Sequence, residues 1–184
     1  MEPPLWYTVA IITVESAGFN MAFSFIPRII VDRLTDLTPE FLREKGITFL
    51  MLDFDNTIVP YTTDTPAPEM EHWLRTMQQS GIGLCVVSNS KRDRVVRFCQ
   101  AREIPCITHS KKPFQRGIRR CQAQFALDMS HAALAGDQIY TDVLGANCAG
   151  AVSILVTPIH LHNIWLRLRH VAELPFIAIG KRSV

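Results

Sequence analysis

The stretch Phe49-Leu50-Met51-Leu52-Asp53-Phe54-Asp55-Asn56-Thr57-Ile58-Val59 decides the fold. It runs an apolar strand straight into two carboxylates spaced i, i+2, and so places paired acids at the carboxyl edge of a sheet, where open α/β folds bind their ligands. Side chains alternate along a strand, so Asp53 and Asp55 diverge if the strand continues. If it ends at Asp53 and the chain curls, both address one site. Asn56-Thr57 is a common turn opener and predicts that curl.

Reading outward, Thr38 suits a helix cap, Pro39 the first helical position and Gly46 the residue past the end of a short helix. Ile47 to Leu52 is a continuous apolar run, as expected for a strand covered on both faces. Pro68 to Ser80 carries Met70, Trp73, Leu74 and Met77 at helical spacing, a core stripe, and stops at Gly81. Then follow a strand over Ile82 to Val87, a basic helix over Lys91 to Arg102, a short strand near Ile104 to Ile107 and a helix from Phe114 to Leu127. A strand over Ala132 to Ala135 ends at Gly136-Asp137, and a helix over Thr141 to Ala149 leads to a strand over Ala151 to Val156. This alternation predicts right-handed crossovers and an α/β three-layer sandwich around a parallel five-stranded sheet. Leu161 to His170 has a helical pattern and Leu174 to Ile179 is apolar; neither is placed by the pattern.

A chain of 184 residues, 48% hydrophobic and 20% charged, fits one domain with a full core. The five cysteines, Cys85, Cys99, Cys106, Cys121 and Cys148, are dispersed and form no Cys-x-x-Cys pair. They read as reduced thiols rather than disulfides or a zinc site, which favours a cytoplasmic location. A net charge of +2 gives no case for nucleic acid. Residues 1–27 read as a membrane-touching amphipathic arm, a strand or helix packed on the domain, or an extension ahead of a start at Met21, with the extension or a loosely packed arm preferred. Its apolar run from Leu5 to Val14 is too short to span a bilayer and lacks a basic leader. Residues 28–184 form the domain.

Four strand ends carry polar groups: Asp53 and Asp55, Ser88-Asn89-Ser90, Lys111-Lys112-Pro113, and Asp137 with Asp142. All fall on one edge of the expected sheet and describe a site for a phosphate and a hard cation. A carboxylate attacking a phosphate ester meets like charge, so Mg²⁺ held by oxygen ligands must offset the repulsion. Asp53 and Asp137 are the natural carboxylate ligands, with the main-chain carbonyl of Asp55 a third. The curl after Asp53 also turns N–H groups toward an anion. Ser88, Asn89 and Thr57 are candidate phosphate binders, and a lysine at 112 counters transition-state charge. Lys111 stands beside it as the alternative. If an acyl phosphate forms on Asp53, Asp55 can serve as acid toward the leaving group and then as base toward water. Asp142 has three roles open to it: metal ligand, partner of Lys112, or helix start.

These residues, Asp53-Phe54-Asp55-Asn56-Thr57, Ser88-Asn89, Lys112-Pro113 and Gly136-Asp137 with Asp142, resemble the four motifs of the haloacid dehalogenase-like phosphatases, over about Arg28 to Pro158. "LDFDNTIVP", "VVSNS", "KKP" and "GDQIYTDVLGANCAG" are similar to the bacterial YqeG family of subclass III, related to mitochondrial phosphatidylglycerophosphate phosphatase. The resemblance implies a nucleophile at Asp53, an acid/base at Asp55, and a lipid phosphate as substrate. The same mechanism on a soluble sugar, nucleotide or protein phosphate is the main alternative. A phospho-binding or signalling module is the second, although a receiver domain carries its phosphorylated Asp after the third strand, where this chain has Ser110-Lys111-Lys112.

The intervals from Asp55 to Ser88 and from Ser88 to Lys112 each hold a single crossover, so no cap domain fits and an open site is expected. It suits a bulky phosphate presented on a surface, such as a phospholipid head group. Two basic groups, Lys91, Arg92, Arg94 and Arg97, and Arg116, Arg119 and Arg120, read as solvated helix faces that can also meet an anionic membrane. Oligomeric state is not written in the pattern. His160-Leu161-His162 has too few partners for a metal site.

Overall fold

The computed structural model describes residues 11–16, 19–91, 93–160 and 176–178. The tail segments around Leu161 to His170 and Leu174 lie outside these residues. A hairpin of β1 (Ile11–Ser16) and β2 (Phe19–Ser24) precedes the main sheet. The chain then forms β3 (Ile29–Val31), α1 (Pro39–Glu44), β4 (Phe49–Leu52), α2 (Pro68–Gln79), β5 (Gly83–Val87), α3 (Asp93–Gln100) and β6 (Cys106–Ile107). It closes with α4 (Arg116–Phe125), β7 (Ala132–Gly136), one π turn over Ile139–Val143, α5 (Leu144–Ala149) and β8 (Val152–Val156).

The sheet has six strands in the order β3-β8-β7-β4-β5-β6, every neighbouring pair parallel. All five expected strands are in it, and β3 adds a sixth at the edge. Three residues of pattern are too few to announce such a strand, and β3 exists because Arg28 N donates to Ser153 O at 3.1 Å and Ile29 comes into register with Ile154. Between Asp55 and Ser88, and again between Ser88 and Lys112, a single helix fills the crossover, with no cap inserted.

The period-2 rule sorts β4 between two cores. Leu50 and Leu52 face Leu42, Met70, Trp73 and Val95 of α1, α2 and α3, whereas Phe49 and Met51 face Ile118, Cys121 and Ala146 of α4 and α5. All four β4 residues are buried. Thr38 Oγ1 accepts the Phe41 N–H at 3.1 Å and Gly46 turns left-handed at φ 70°, so the short α1 has both ends satisfied. Trp73 Nε1 donates to Leu37 O at 2.6 Å, tying the entry to α1 onto α2. All five cysteines are free thiols. Asn147 Nδ2 donates to Ser24 O (2.8 Å) and Ile26 O (3.1 Å), and its Oδ1 accepts from Ser153 Oγ at 2.8 Å. This side chain therefore fastens the end of the arm to α5 and β8.

Candidate active site

Strand β4 stops at Leu52 and the chain curls. Ile58 N and Val59 N both donate to Phe54 O (3.0 and 3.3 Å), Asn56 N donates to Val59 O at 2.6 Å, and Asn56 stands at φ 67°. Asparagine tolerates the left-handed region better than most residues. The Asn56 N–H is thus spent inside the turn and does not join an anion nest, as the sequence had led us to expect of the N–H groups here. Its side chain braces the neighbours: Oδ1 accepts the His160 N–H at 3.0 Å and Nδ2 donates to Asp137 Oδ2 at 3.4 Å.

Because β4 lies between β7 and β5, the ends of those two strands deliver their polar residues on either side of Asp53. One ligand atom each from Asp53, Asp137 and Asp142 falls within 4.8 Å of the others, and all three residues are buried. Lys112 joins them from the loop after β6. Its Nζ lies 2.7 Å from Asp53 Oδ1 and 2.7 Å from Asp142 Oδ1. His109 and Lys111 both adopt positive φ, at 53° and 58°, which swings Lys111 out to solvent and Lys112 inward. Lys112, not Lys111, is the buried cation.

Burial pushes the Asp53 carboxyl up to about 7 against the pull of Lys112, with Asp142 adding to the rise. Burial works against the charge on Lys112, but Asp142 and Asp53 outweigh it and hold its pKa above the ordinary lysine value. Three buried carboxylates facing one ammonium leave an excess of negative charge in low dielectric, and all-oxygen donors match a hard divalent cation. The donor set fits Mg²⁺.

Asp142 is seated by Gly136. A Cβ at position 136 would fall 2.4 Å from the Asp142 carboxyl carbon, so only glycine lets that side chain cross the end of β7. Its Oδ2 accepts the Gln138 N–H at 3.1 Å, which opens the π turn. Asp142 thus meets Lys112, stands in the acidic cluster and holds the amide that opens the π turn.

Ser88 is buried at the end of β5, and its Oγ accepts the Ser90 N–H at 3.0 Å. Thr57 is also buried, and its Oγ1 has no hydrogen-bond partner among the described residues, which leaves a donor for a ligand oxygen. Asn89, expected on the phosphate, is engaged elsewhere. Its Oδ1 accepts Ser110 Oγ (2.6 Å) and Lys112 N (2.7 Å), and its Nδ2 donates to Lys112 O at 3.0 Å. It clamps the lysine loop.

Asp55 gives no carboxylate oxygen to the acidic cluster. Its Oδ1 instead meets Arg94 Nη2. Arg94, read from sequence as part of a solvated basic face, is 8% exposed. Lys91, Arg97, Arg116 and Arg120 are exposed, as that reading expected. Arg94 was missed because helical periodicity shows which face is apolar and cannot show an ion pair across 39 residues.

A cleft of about 580 Å³ opens beside the turn, from Thr57, Ile58 and Pro60 to Leu34, Met70 and His160. Phe114, just beyond Lys112-Pro113, is 74% exposed. No helix among the described residues is long and apolar enough to cross a membrane.

The chain resembles known proteins over most of this framework. A family profile described as "Mitochondrial PGP phosphatase" matches residues 13–159. "Probable phosphatase YqeG" of Bacillus subtilis (strain 168) is 33% identical over 135 residues, covering 73% of this chain and 78% of that protein. A Vibrio cholerae protein described as a "putative 3-deoxy-D-manno-octulosonate 8-phosphate phosphatase" shares the fold at a TM-score of 0.51 and 14% identity, over 76% of this chain and 81% of that one. An uncharacterized protein from Listeria monocytogenes serotype 4b matches at 0.50 and 16% identity, over 69% and 99%. With the strand-end residues gathered around Asp53 and Lys112 and a profile match spanning both, the chain belongs to the mitochondrial PGP phosphatase family, among the subclass III phosphatases of the haloacid dehalogenase-like superfamily.

Proposed function

We propose that the protein is a Mg²⁺-dependent phosphomonoester hydrolase that works through a phospho-aspartate on Asp53, with phosphatidylglycerophosphate as its substrate. The buried Asp53 carboxylate, held 2.7 Å from Lys112 with Asp55 two residues on, carries the mechanistic reading. An Asp53 oxygen attacks phosphorus, the bond from phosphorus to the ester oxygen breaks, and Asp55 hands its proton to the departing alkoxide. Water then attacks the phosphorus of the acyl phosphate, losing a proton to Asp55, and Asp53 and inorganic phosphate are released. Lys112, Ser88 and Thr57 steady the phosphoryl oxygens. Asp53, Asp137 and Asp142, with the Asp55 carbonyl, would hold Mg²⁺, which would supply positive charge to offset the repulsion between carboxylate and phosphate.

The lipid assignment rests on the family description and on the rim. Lys111, His109, Phe114, Arg116 and Arg120 are exposed around the Lys112 loop, and His109 N donates to Ser90 O at 3.2 Å, which joins that loop to the Lys91 turn. From Thr108 to Leu127 the chain has no acidic residue. Each basic residue near an anionic leaflet contributes about 1 kcal/mol, and Phe114 adds an aromatic anchor. The cleft beside Thr57 gives the leaving group room. We place the enzyme in the cytoplasm, touching the inner membrane face transiently.

The test compares Mg²⁺-dependent phosphate release from phosphatidylglycerophosphate in anionic vesicles with release from glycerol 3-phosphate, sugar phosphates and 4-nitrophenyl phosphate. Preference for the vesicle substrate, weakened in Phe114→Ala, supports the assignment. Preference for a small ester makes the enzyme a soluble-phosphate phosphatase. Phosphate binding without release from any ester makes it a binding module.

A further inference from the structure

We infer that Arg94 is the positioning residue of the acid/base: a buried guanidinium that fixes the Asp55 carboxylate and the loop after it in the geometry needed for proton transfer. The inference rests on the phosphatase reading, in which Asp55 moves the proton.

One guanidinium meets four residues of that loop through its two Nη atoms. Arg94 Nη2 pairs with Asp55 Oδ1 and lies 3.4 Å from Pro60 O, while Nη1 donates to Tyr61 O at 3.1 Å and meets Asp64 Oδ1 at 3.2 Å. The ring of Phe54, the residue between the two catalytic acids, lies 5.1 Å from the guanidinium carbon. That ring in turn packs edge-on at 5.1 Å against Phe98, one helical turn beyond Arg94 on α3. A planar fork of five donors suits such a task, and a lysine cannot reproduce it. Surface ion pairs contribute little. This one is buried at 8% and 16% side-chain exposure, which separates it from the ordinary salt bridges of the helix faces.

The chemistry explains why Asp55 needs holding. It lies in the curl after β4, where a backbone bridge to Val59 fixes its main chain but not its carboxylate, and it must serve first the leaving oxygen and then water from one position. With Oδ1 engaged by Arg94, Oδ2 is the oxygen left to carry the proton. A displacement of 1 Å at such a group costs up to about 10²-fold in rate.

The experiment is a double-mutant cycle on the full chain with 4-nitrophenyl phosphate and glycerol 3-phosphate. It compares wild type, Arg94→Ala, Asp55→Asn and the double variant, with Arg94→Lys as the variant that keeps charge and bulk should the alanine form not fold. Mg²⁺-dependent turnover by wild type and its loss in Asp53→Asn test the underlying phosphatase reading separately. Arg94→Ala should lower kcat on glycerol 3-phosphate by about 10- to 100-fold with little change in KM, and less on 4-nitrophenyl phosphate, whose leaving group needs little protonation. In the Asp55→Asn background the same change should have almost no further effect, and Arg94→Lys should fall between the two. Equal losses in both backgrounds, equal losses on both esters, or an unchanged kcat in Arg94→Ala would each overturn the assignment.

Discussion

Replacing Lys112 by Met should destabilise the metal-free protein steeply, and more so at alkaline than at acidic pH. The ammonium sits 2.7 Å from carboxylate oxygens of both Asp53 and Asp142, and the three side chains are 1%, 9% and 1% exposed, so water cannot replace it. Removing one partner of a buried ion pair costs about 3–5 kcal/mol. In a chain of this size each kcal/mol moves Tm by about 2–4 °C, which gives a loss of roughly 6 to 20 °C. The pH dependence follows from Asp53, whose carboxyl stands at about 7 in the fold against an ordinary value of 3.8. Between those values the native state binds the proton and the unfolded chain does not, so the cost of this group is absent below about pH 4, grows as pH rises and is complete above about pH 7. Lys112 lowers that cost. Without it Asp53 keeps its proton to higher pH, and the deficit of the variant is smaller at pH 5 than at pH 8. Calorimetric melting of both proteins in chelator at the two pH values decides the matter. A variant melting within about 2 °C of wild type at pH 8, or a larger deficit at pH 5, refutes the reasoning.

Asp53→Asn should form no phosphoenzyme and show no turnover, whereas Asp55→Asn should lose about 10²- to 10⁴-fold and retain label from an activated ester in acid-quenched samples. Mg²⁺ should raise Tm more at pH 8 than at pH 5, because the ion competes with the proton on Asp53; equal shifts would count against a site built on that carboxylate. Gly136→Ala should cost about 1–3 kcal/mol and lower activity with it, since the new Cβ forces Asp142 away from Lys112. A Gly136→Ala protein matching wild type in melting and turnover would show that Asp142 can be seated another way.

Much of the sheet was legible because β4, β5, β7 and β8 are covered on both faces and leave apolar runs that end abruptly in polar residues. Asp53 and Asp137 were legible for the same reason, each standing where such a run stops, and Lys112 by its place in the polar stretch that follows the short β6. Strand β3 was not, since three residues in register with β8 carry no pattern of their own. The helix expected from Thr141 instead begins as a π turn over Ile139–Val143, set by the bond from Gln138 N to Asp142, and that pairing is invisible in the spacing. The bonds that engage the Asn89 and Arg94 side chains escaped the sequence reading for a related reason. Residue type predicts that an asparagine after a strand can bind phosphate and that an arginine on a helix is solvated. The partners that redirect them lie 23 and 39 residues away.

The amide of Asn89 makes the serine turn and the lysine turn a single mechanical unit, although they are separate motifs in the chain. A graft of residues 108–113 from a relative should therefore seat its lysine only with an asparagine at 89 to hold the Lys112 main chain.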